Sequence, residues 1–324
     1  MLLGFDIGGT KCAIVLGALN NKKALTVIAK QVIPTNRKVH EMIECLFSGA
    51  EQLLIENNID KDSIEGIGIS CGGPLSSKRG IILSPPNLPG WDNIPIVELA
   101  EKRFNRKAFL QNDANACAVA EWKYGAGIGI NNLIFLTFGT GMGAGLILDG
   151  KLYCGISDLA GEVGHLRLSD NGPVGFGKSG SFEGYCSGGG IAQLAQIKAR
   201  EKLQMGESVS FCSGMADLVN ITAKSVADAA IAGDAVALNV YTTCAEYLGR
   251  GLSLLIDILN PEMIILGSIY GRAKSLLDPV MLEAIKREAL PESFKACTIV
   301  PAGLAENIGD LAALSLALMC AGIN

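Results

Sequence analysis

The chain has 324 residues, 49% of them hydrophobic and 18% charged, with a formal net charge of −5. That length and composition support two domains with their own cores and exclude a disordered chain. The acidic balance excludes general attraction to nucleic acid or anionic lipid, so an anionic ligand needs a local site of backbone N–H groups and a metal ion. In chain order, residues 2–7 read as a buried strand, Gly8–Thr10 as a turn, and 11–18 and 25–33 as further strands. Residues 38–57 place Val39, Met42, Ile43, Leu46, Ala50, Leu53 and Leu54 on one helical face. A strand over 64–70 ends in a Gly-Gly-Pro turn. A helix over 96–105, a short strand over 107–110 and a helix over 113–124 follow.

The pattern then restarts. A strand over 133–138 leads through a glycine turn into a second strand at 144–148 and the turn Asp149-Gly150. Helices are expected at 188–203, 213–219, 225–231 and 235–258, the last stopped by Asn260-Pro261. A strand runs into Gly267, and a helix over 274–289, a strand over 297–301 and a helix over 308–321 close the chain. Strand–glycine turn–strand thus opens each half, as an internal duplication with a cleft between the halves would. The expected class is α/β, with 1–115 as a small N-terminal lobe completed by 305–324, and 116–304 as a large lobe.

Ten cysteines occur singly, without a Cys-x-x-Cys pair, and read as small buried hydrophobes of a reducing compartment. The first residues carry no basic leader or cleavage site, and the apolar run Leu311 to Ile323 is too short to span a bilayer. A soluble, cytoplasmic protein is expected. The chain has 40 glycines, densest in five stretches, which suggests several loops converging on one ligand.

Six strings carry candidate chemistry. In "FDIGGTK", Asp6 ends a buried strand where a carboxylate suits hydrated Mg²⁺. Gly8, Gly9 and Thr10 offer N–H groups and a hydroxyl to phosphate, and Lys11 a point charge. The plainer reading is a hairpin turn with an Asp cap. "FGTGMGAG" repeats the offer with Gly139, Thr140 and Gly141. In "QNDANA", Asn112 and Asp113 are N-cap types, but a carboxylate there also suits taking a proton from a sugar hydroxyl while the Asn holds a second hydroxyl. "DLAGEVGHLRL" sets Glu162 three residues before His165, a donor and acceptor set fit for a polyol or for a structural histidine. "GISCGGPL" and "SPPNLPGW" are loops that would bring Asn87 to a cleft edge, or plain connections.

Taken in order, these strings with "NDANACAVAE", "AGEVGH", "EGYCSG" and "LNPEMIILG" resemble the ROK family of sugar kinases and sugar-responsive repressors, over nearly the whole chain. The resemblance implies a two-lobed actin-like/ribonuclease H-like ATPase fold with a central ligand cleft. It implies an ATP-dependent kinase acting on a hexose or N-acylhexosamine, with Asp113 as general base. Asn87, Asn112, Glu162, His165 and Glu183 would bind the sugar. Asp6, Gly8, Gly9, Thr10 and Lys11 would handle phosphate and Mg²⁺, facing Gly139, Thr140 and Gly141, with Gly267 near the adenosine. A homodimer is the expected assembly.

Three departures stand out. The family's zinc pattern combines one His with three Cys. Here one Cys position is deleted, Phe176 and Ser181 occupy the others, and Cys186 falls outside the pattern, so no zinc is expected. Phe176 and Phe182 are expected to bury apolar area in its stead. Gly72 and Ser76 replace a Pro and an Asp in "CGGPLSS", and Ser268 follows Gly267 where a second Gly is usual. A sugar-sensing regulator or a non-catalytic sugar-binding protein is the alternative. The phosphate hairpin begins at residue 4, so no helix-turn-helix is expected before it, and Asp113 and both phosphate loops are present, which favours the enzyme.

Overall fold

A computed structural model describes residues 1–20 and 24–322. Ile323, which ends the apolar run, and Asn324, which ends the 305–324 segment, lie outside the described residues. In chain order, β1 (Leu2–Ile7), β2 (Lys11–Leu19) and β3 (Leu25–Pro34) precede α1 (Val39–Glu56). Next come β4 (Gly66–Cys71), β5 (Leu75–Ser76), β6 (Ile81–Ile82), α2 (Ile96–Phe104), β7 (Ala108–Asn112) and α3 (Asp113–Tyr124). β8 (Leu133–Leu136), β9 (Ala144–Leu148), β10 (Lys151–Leu152), β11 (Val174–Gly175) and β12 (Lys178–Ser179) follow. Then come α4 (Phe182–Tyr185), α5 (Gly188–Gln204), α6 (Ala223–Ile231), α7 (Ala235–Leu259) and β13 (Met263–Leu266). The chain closes with α8 (Ser268–Glu288), α9 (Pro291–Ala296), β14 (Thr298–Pro301) and α10 (Ile308–Ala321).

The fold is α/β, in two compact units. The first comprises Met1–Asn131, Gly145–Gly161 and Gly303–Asn324; the second comprises Asn132–Ala144 and Glu162–Ala302. The first unit runs past residue 115 because α3 packs on α10.

In the first unit the strand order is β3-β2-β1-β4-β7. β1 pairs antiparallel with β2, and β1, β4 and β7 run parallel. Alternation along β1 sends Leu3, Phe5 and Ile7 into a core with Met42, Leu46, Phe47 and Phe104 of α1 and α2. Leu2 joins Ala13, Val15, Ala116, Ala120 and the buried length of α10 on the other face. Glycine is needed for that close approach: a Cβ on Gly68 of β4 would sit 1.9 Å from the Ala313 oxygen of α10. Each fully buried large apolar side chain contributes about 1.5–3 kcal/mol.

In the second unit β13 runs parallel between β8 and β14. Its core is built on Leu133–Leu136 and Ile264–Leu266, and α7 packs on α8. Asp234 caps α7 by accepting from Val236 and Ala237, and Asn260 ends it at φ 43°, ahead of Pro261. The helix expected over 274–289 begins earlier, at Ser268. Non-helical backbone at Ala273 kinks it, and the periodicity after the kink is the part the sequence displays. The helix expected over 213–219 is a 3-10 turn, Met215–Asn220. No helix among the described residues is long and apolar enough to cross a membrane.

Candidate active site

The first unit gathers its candidate residues at the C-terminal ends of parallel strands, where open α/β sheets bind ligands. Asp6 of β1 lies in register with Ser70 of β4, and Asn112 ends β7 opposite Cys71. Burial is the main force that pushes the Asp6 carboxyl up to about 6, with the Asp113 charge next; a hydrogen bond with Ser70 opposes the rise. The turn after Asp6 is braced: Thr35 donates from Oγ1 to the Gly8 oxygen at 2.7 Å and from its amide to the Thr10 oxygen at 3.0 Å. A Cβ on Gly9 would meet the Asn87 oxygen at 2.3 Å, so the 84–91 loop lies directly on this turn. Asn87, Gly9, Thr10 and Lys11 are all exposed there.

Asn112 caps α3: its Oδ1 accepts the Ala114 amide at 2.9 Å. That oxygen is committed to the helix, which leaves the Nδ2 group for a ligand. Gln111 accepts the Asn112 amide at 2.8 Å and fixes the residue from behind. Asp113 also accepts the Ala114 amide, at 2.8 Å, and its side chain stays open to water. Protein packed close on one side desolvates part of this exposed residue's carboxyl and pushes its pKa up, against the pull of the Ala114 and Asp113 amides. A raised carboxyl is a stronger proton acceptor than an ordinary aspartate.

Asp6 fits a Mg²⁺ ion, which takes oxygen ligands and keeps several waters. Asp113 and Asp310 add to the negative charge around it, partly offset by Lys30, which pairs with Asp310 at 2.7 Å, and the remaining charge is what a cation would neutralise. No group of three or more His, Cys, Asp or Glu stands together as a metal cage among the described residues, so ligand oxygens and water would have to complete the shell.

The second unit repeats the construction. β8 and β13 lie in register at Leu136 and Leu266, so the glycine turn after β8 and Gly267 emerge side by side. Thr137 accepts the Gly143 amide at 2.9 Å and closes the turn. Glu183, at the start of α4, accepts the Met142 amide at 3.0 Å, and a Cβ on Gly164 would meet the Met142 oxygen at 2.3 Å. The glycine turn, the 162–165 turn and α4 are therefore one packed cluster. His165 donates its amide to the Glu162 oxygen at 3.2 Å.

Sequence reasoning missed the wall of a cavity of about 530 Å³ in this unit. Gly139 and Thr140 line it, as expected of the glycine turn. Thr222, Lys224, Asp228 and Arg272 line it too, and nothing in the local sequence marks them. Gly267 caps α8 beside it, and the lining itself starts at Ser268.

The residues do not fit a structural zinc site. Ser181 is fully buried, accepts the Gly184 amide at 3.1 Å and bonds the Gly175 oxygen. Cys186 Sγ is buried and directed at the Cys244 oxygen, 3.4 Å away. Phe182 is buried as expected, packed under Gly251 of α7. Phe176 differs from the expectation of burial: it is 65% exposed, because the tip of a two-residue hairpin offers no core to enter.

The ROK family model matches residues 2–319. The chain belongs to the ROK family. A glucokinase of Thermotoga maritima is 30% identical to this ROK protein over 97% of the chain and 96% of its own length. A xylose repressor of Caldicellulosiruptor bescii is 30% identical over 91% of the chain and 71% of its own length. The crystal structure of a ROK glucokinase from Streptomyces griseus in complex with glucose and AMPPNP superposes with a TM-score of 0.77 at 28% identity, covering 98% of this chain and 99% of that one. The fold of this ROK protein is thus the actin-like ATPase fold.

Proposed function

We propose that this ROK protein is an ATP-dependent sugar kinase that transfers the γ-phosphoryl group to a hydroxyl of a hexose or N-acylhexosamine. The observation that carries the reading is Asp113: a water-accessible carboxyl with a raised pKa, fixed at the start of α3, on the sheet end that also holds Asp6 and the glycine turn. The glucokinase likeness over the full chain supports the same reaction.

In this reading Asp113 accepts the sugar hydroxyl proton as the oxygen attacks phosphorus, a contribution of about 10²–10⁴-fold. Asn87, Asn112, Glu162, His165 and Glu183 are the residues assigned to the sugar hydroxyls, as donors and acceptors. Gly8, Gly9, Thr10 and Lys11, and Gly139, Thr140 and Gly141, receive phosphate oxygens. The adenosine lodges in the 530 Å³ cavity beside Gly267. Bound with ATP near Asp6, Mg²⁺ supplies neutralisation of the developing phosphoryl charge.

The reading includes a cytoplasmic homodimer with sugar and ATP as its ligands. All ten cysteines are free thiols, which supports a reducing compartment. The net charge of −5 speaks against a nucleic-acid partner. The likeness to a xylose repressor favours one second reading, a sugar-responsive regulator. A coupled ADP-release screen across hexoses and aminosugars separates the two. Sugar-dependent ADP release from one or a few sugars is expected; sugar binding by calorimetry with no ADP release from any would favour the regulator.

A further inference from the structure

The β11–β12 hairpin turns on Phe176 and Gly177, whose φ angles are 44° and 74°. Glycine adopts that backbone freely, whereas a phenylalanine there is strained. Burial does not compensate, since Phe176 is 65% exposed. Its ring contact is His165: the centroids are 5.1 Å apart and the planes cross at 84°, an edge-on pair. From the same hairpin, Lys178 donates from Nζ to the His165 main-chain oxygen at 2.7 Å. One strained tip thus grips both the ring and the backbone of a single residue.

The hairpin is stiff enough to transmit that grip. Gly180 donates its amide to the Pro173 oxygen at 2.9 Å, and Ser179 its hydroxyl to the Gly172 oxygen at 3.0 Å. The Val174 amide reaches Gln193 of α5 at 2.7 Å. An exposed aromatic held in a costly backbone conformation persists where function uses it.

We propose that Phe176 is a positioning residue for the sugar site, its ring setting the orientation of the His165 imidazole while Lys178 fixes the backbone beneath. The pair does by packing and hydrogen bonding what a metal cross-link would do, on residues that cannot bind one. The functional half of the proposal rests on the sugar-kinase reading; the structural half does not.

The chain has two histidines, His40 and His165, so their imidazole C–H signals are separable by NMR. In the full-length Phe176→Ala protein without ligand, NOEs from the His165 ring to neighbours other than residue 176 should change and those of His40 stay. With the sugar found by the ADP-release screen, its KM should rise about tenfold, the scale of losing an orienting partner. ATP KM and kcat should stay within about twofold. Phe176→Tyr keeps the ring and should restore both readouts. Phe176→Gly removes the strain and should melt no lower than the parent, yet share the raised sugar KM. Unchanged His165 ring NOEs in Phe176→Ala, or equal rises in the sugar and ATP KM values, would overturn the proposal. If the parent turns over no sugar, the kinase reading fails on its own, and the His165 ring NOEs still decide whether Phe176 orients His165.

Discussion

Glu121 ties α3 to the segment that leads into α10, and replacing it tests how the first unit is held. The side chain is fully buried. Its Oε2 accepts the amides of Ala126 at 2.8 Å and Gly303 at 3.1 Å, and its Oε1 accepts that of Leu304 at 2.8 Å. Glu121→Gln keeps one oxygen, which can still serve Ala126 and Gly303. The new NH₂ group then faces the Leu304 amide, donor against donor. One charge-assisted bond is lost, the other two weaken to neutral ones, and a buried N–H is stranded, for a total of about 3–5 kcal/mol. At about 2–4 °C per kcal/mol for a unit of this size, Tm should fall by about 10 °C. Thermal melts followed by circular dichroism read the shift, and hydrogen exchange should show the Leu304 amide losing protection first. A variant melting within about 2 °C of the parent would refute the assignment of these bonds as a buried anchor.

The raised Asp6 carboxyl makes a signed pH prediction. With its folded value near 6 against an ordinary 3.8, the folded chain holds a proton that the unfolded chain releases. Its stabilising effect is complete below the unfolded value and is lost as pH rises through the folded one. Asp6→Asn should therefore raise Tm at pH 7.5, leave it nearly unchanged at pH 4, and abolish Mg²⁺-dependent turnover; an equal gain at both pH values would contradict the electrostatic cause. As for zinc, elemental analysis of purified protein should find well under one atom per chain, and a zinc-selective chelator should not lower Tm. Stoichiometric zinc bound at His165 would show that the 171–183 segment is misread.

Much of the fold is legible in the sequence because its signals are local. The α1 face repeats at helical spacing and six of the seven residues assigned to it are buried. Asp149-Gly150, with φ angles of 51° and 68°, turns β9 into β10 where the dipeptide predicts a turn. What escaped the sequence depends on distant partners. The β11–β12 hairpin has two-residue strands and no alternation to display, and its Phe-Gly turn lacks the usual Asn or Asp. The front of α8 is hidden by the kink at Ala273. The extent of the first unit past residue 115 follows from the packing of α3 on α10, which lie nearly two hundred residues apart in the chain.

The candidate site divides the same way. Residues on glycine turns and strand ends, such as Asp6, Gly8, Gly9 and Asp113, announce themselves by type and place. The bland reading of Asn112 as a helix cap and the functional one coexist, since Oδ1 serves α3 while Nδ2 remains for a ligand. Thr222, Lys224 and Arg272 line the cavity only because α6 and α8 fold to the same wall, and no spacing rule joins them.

The most direct test of the central claim is single-turnover phosphoryl transfer by Asp113→Asn. The amide keeps the hydrogen bond to the Ala114 amide through its oxygen, so fold and sugar binding should survive. It cannot accept the hydroxyl proton, so the transfer rate should fall by about 10²–10⁴-fold with the sugar Kd within a few-fold of the parent. Transfer at the parental rate in a correctly folded, sugar-binding Asp113→Asn protein would contradict Asp113 as the base.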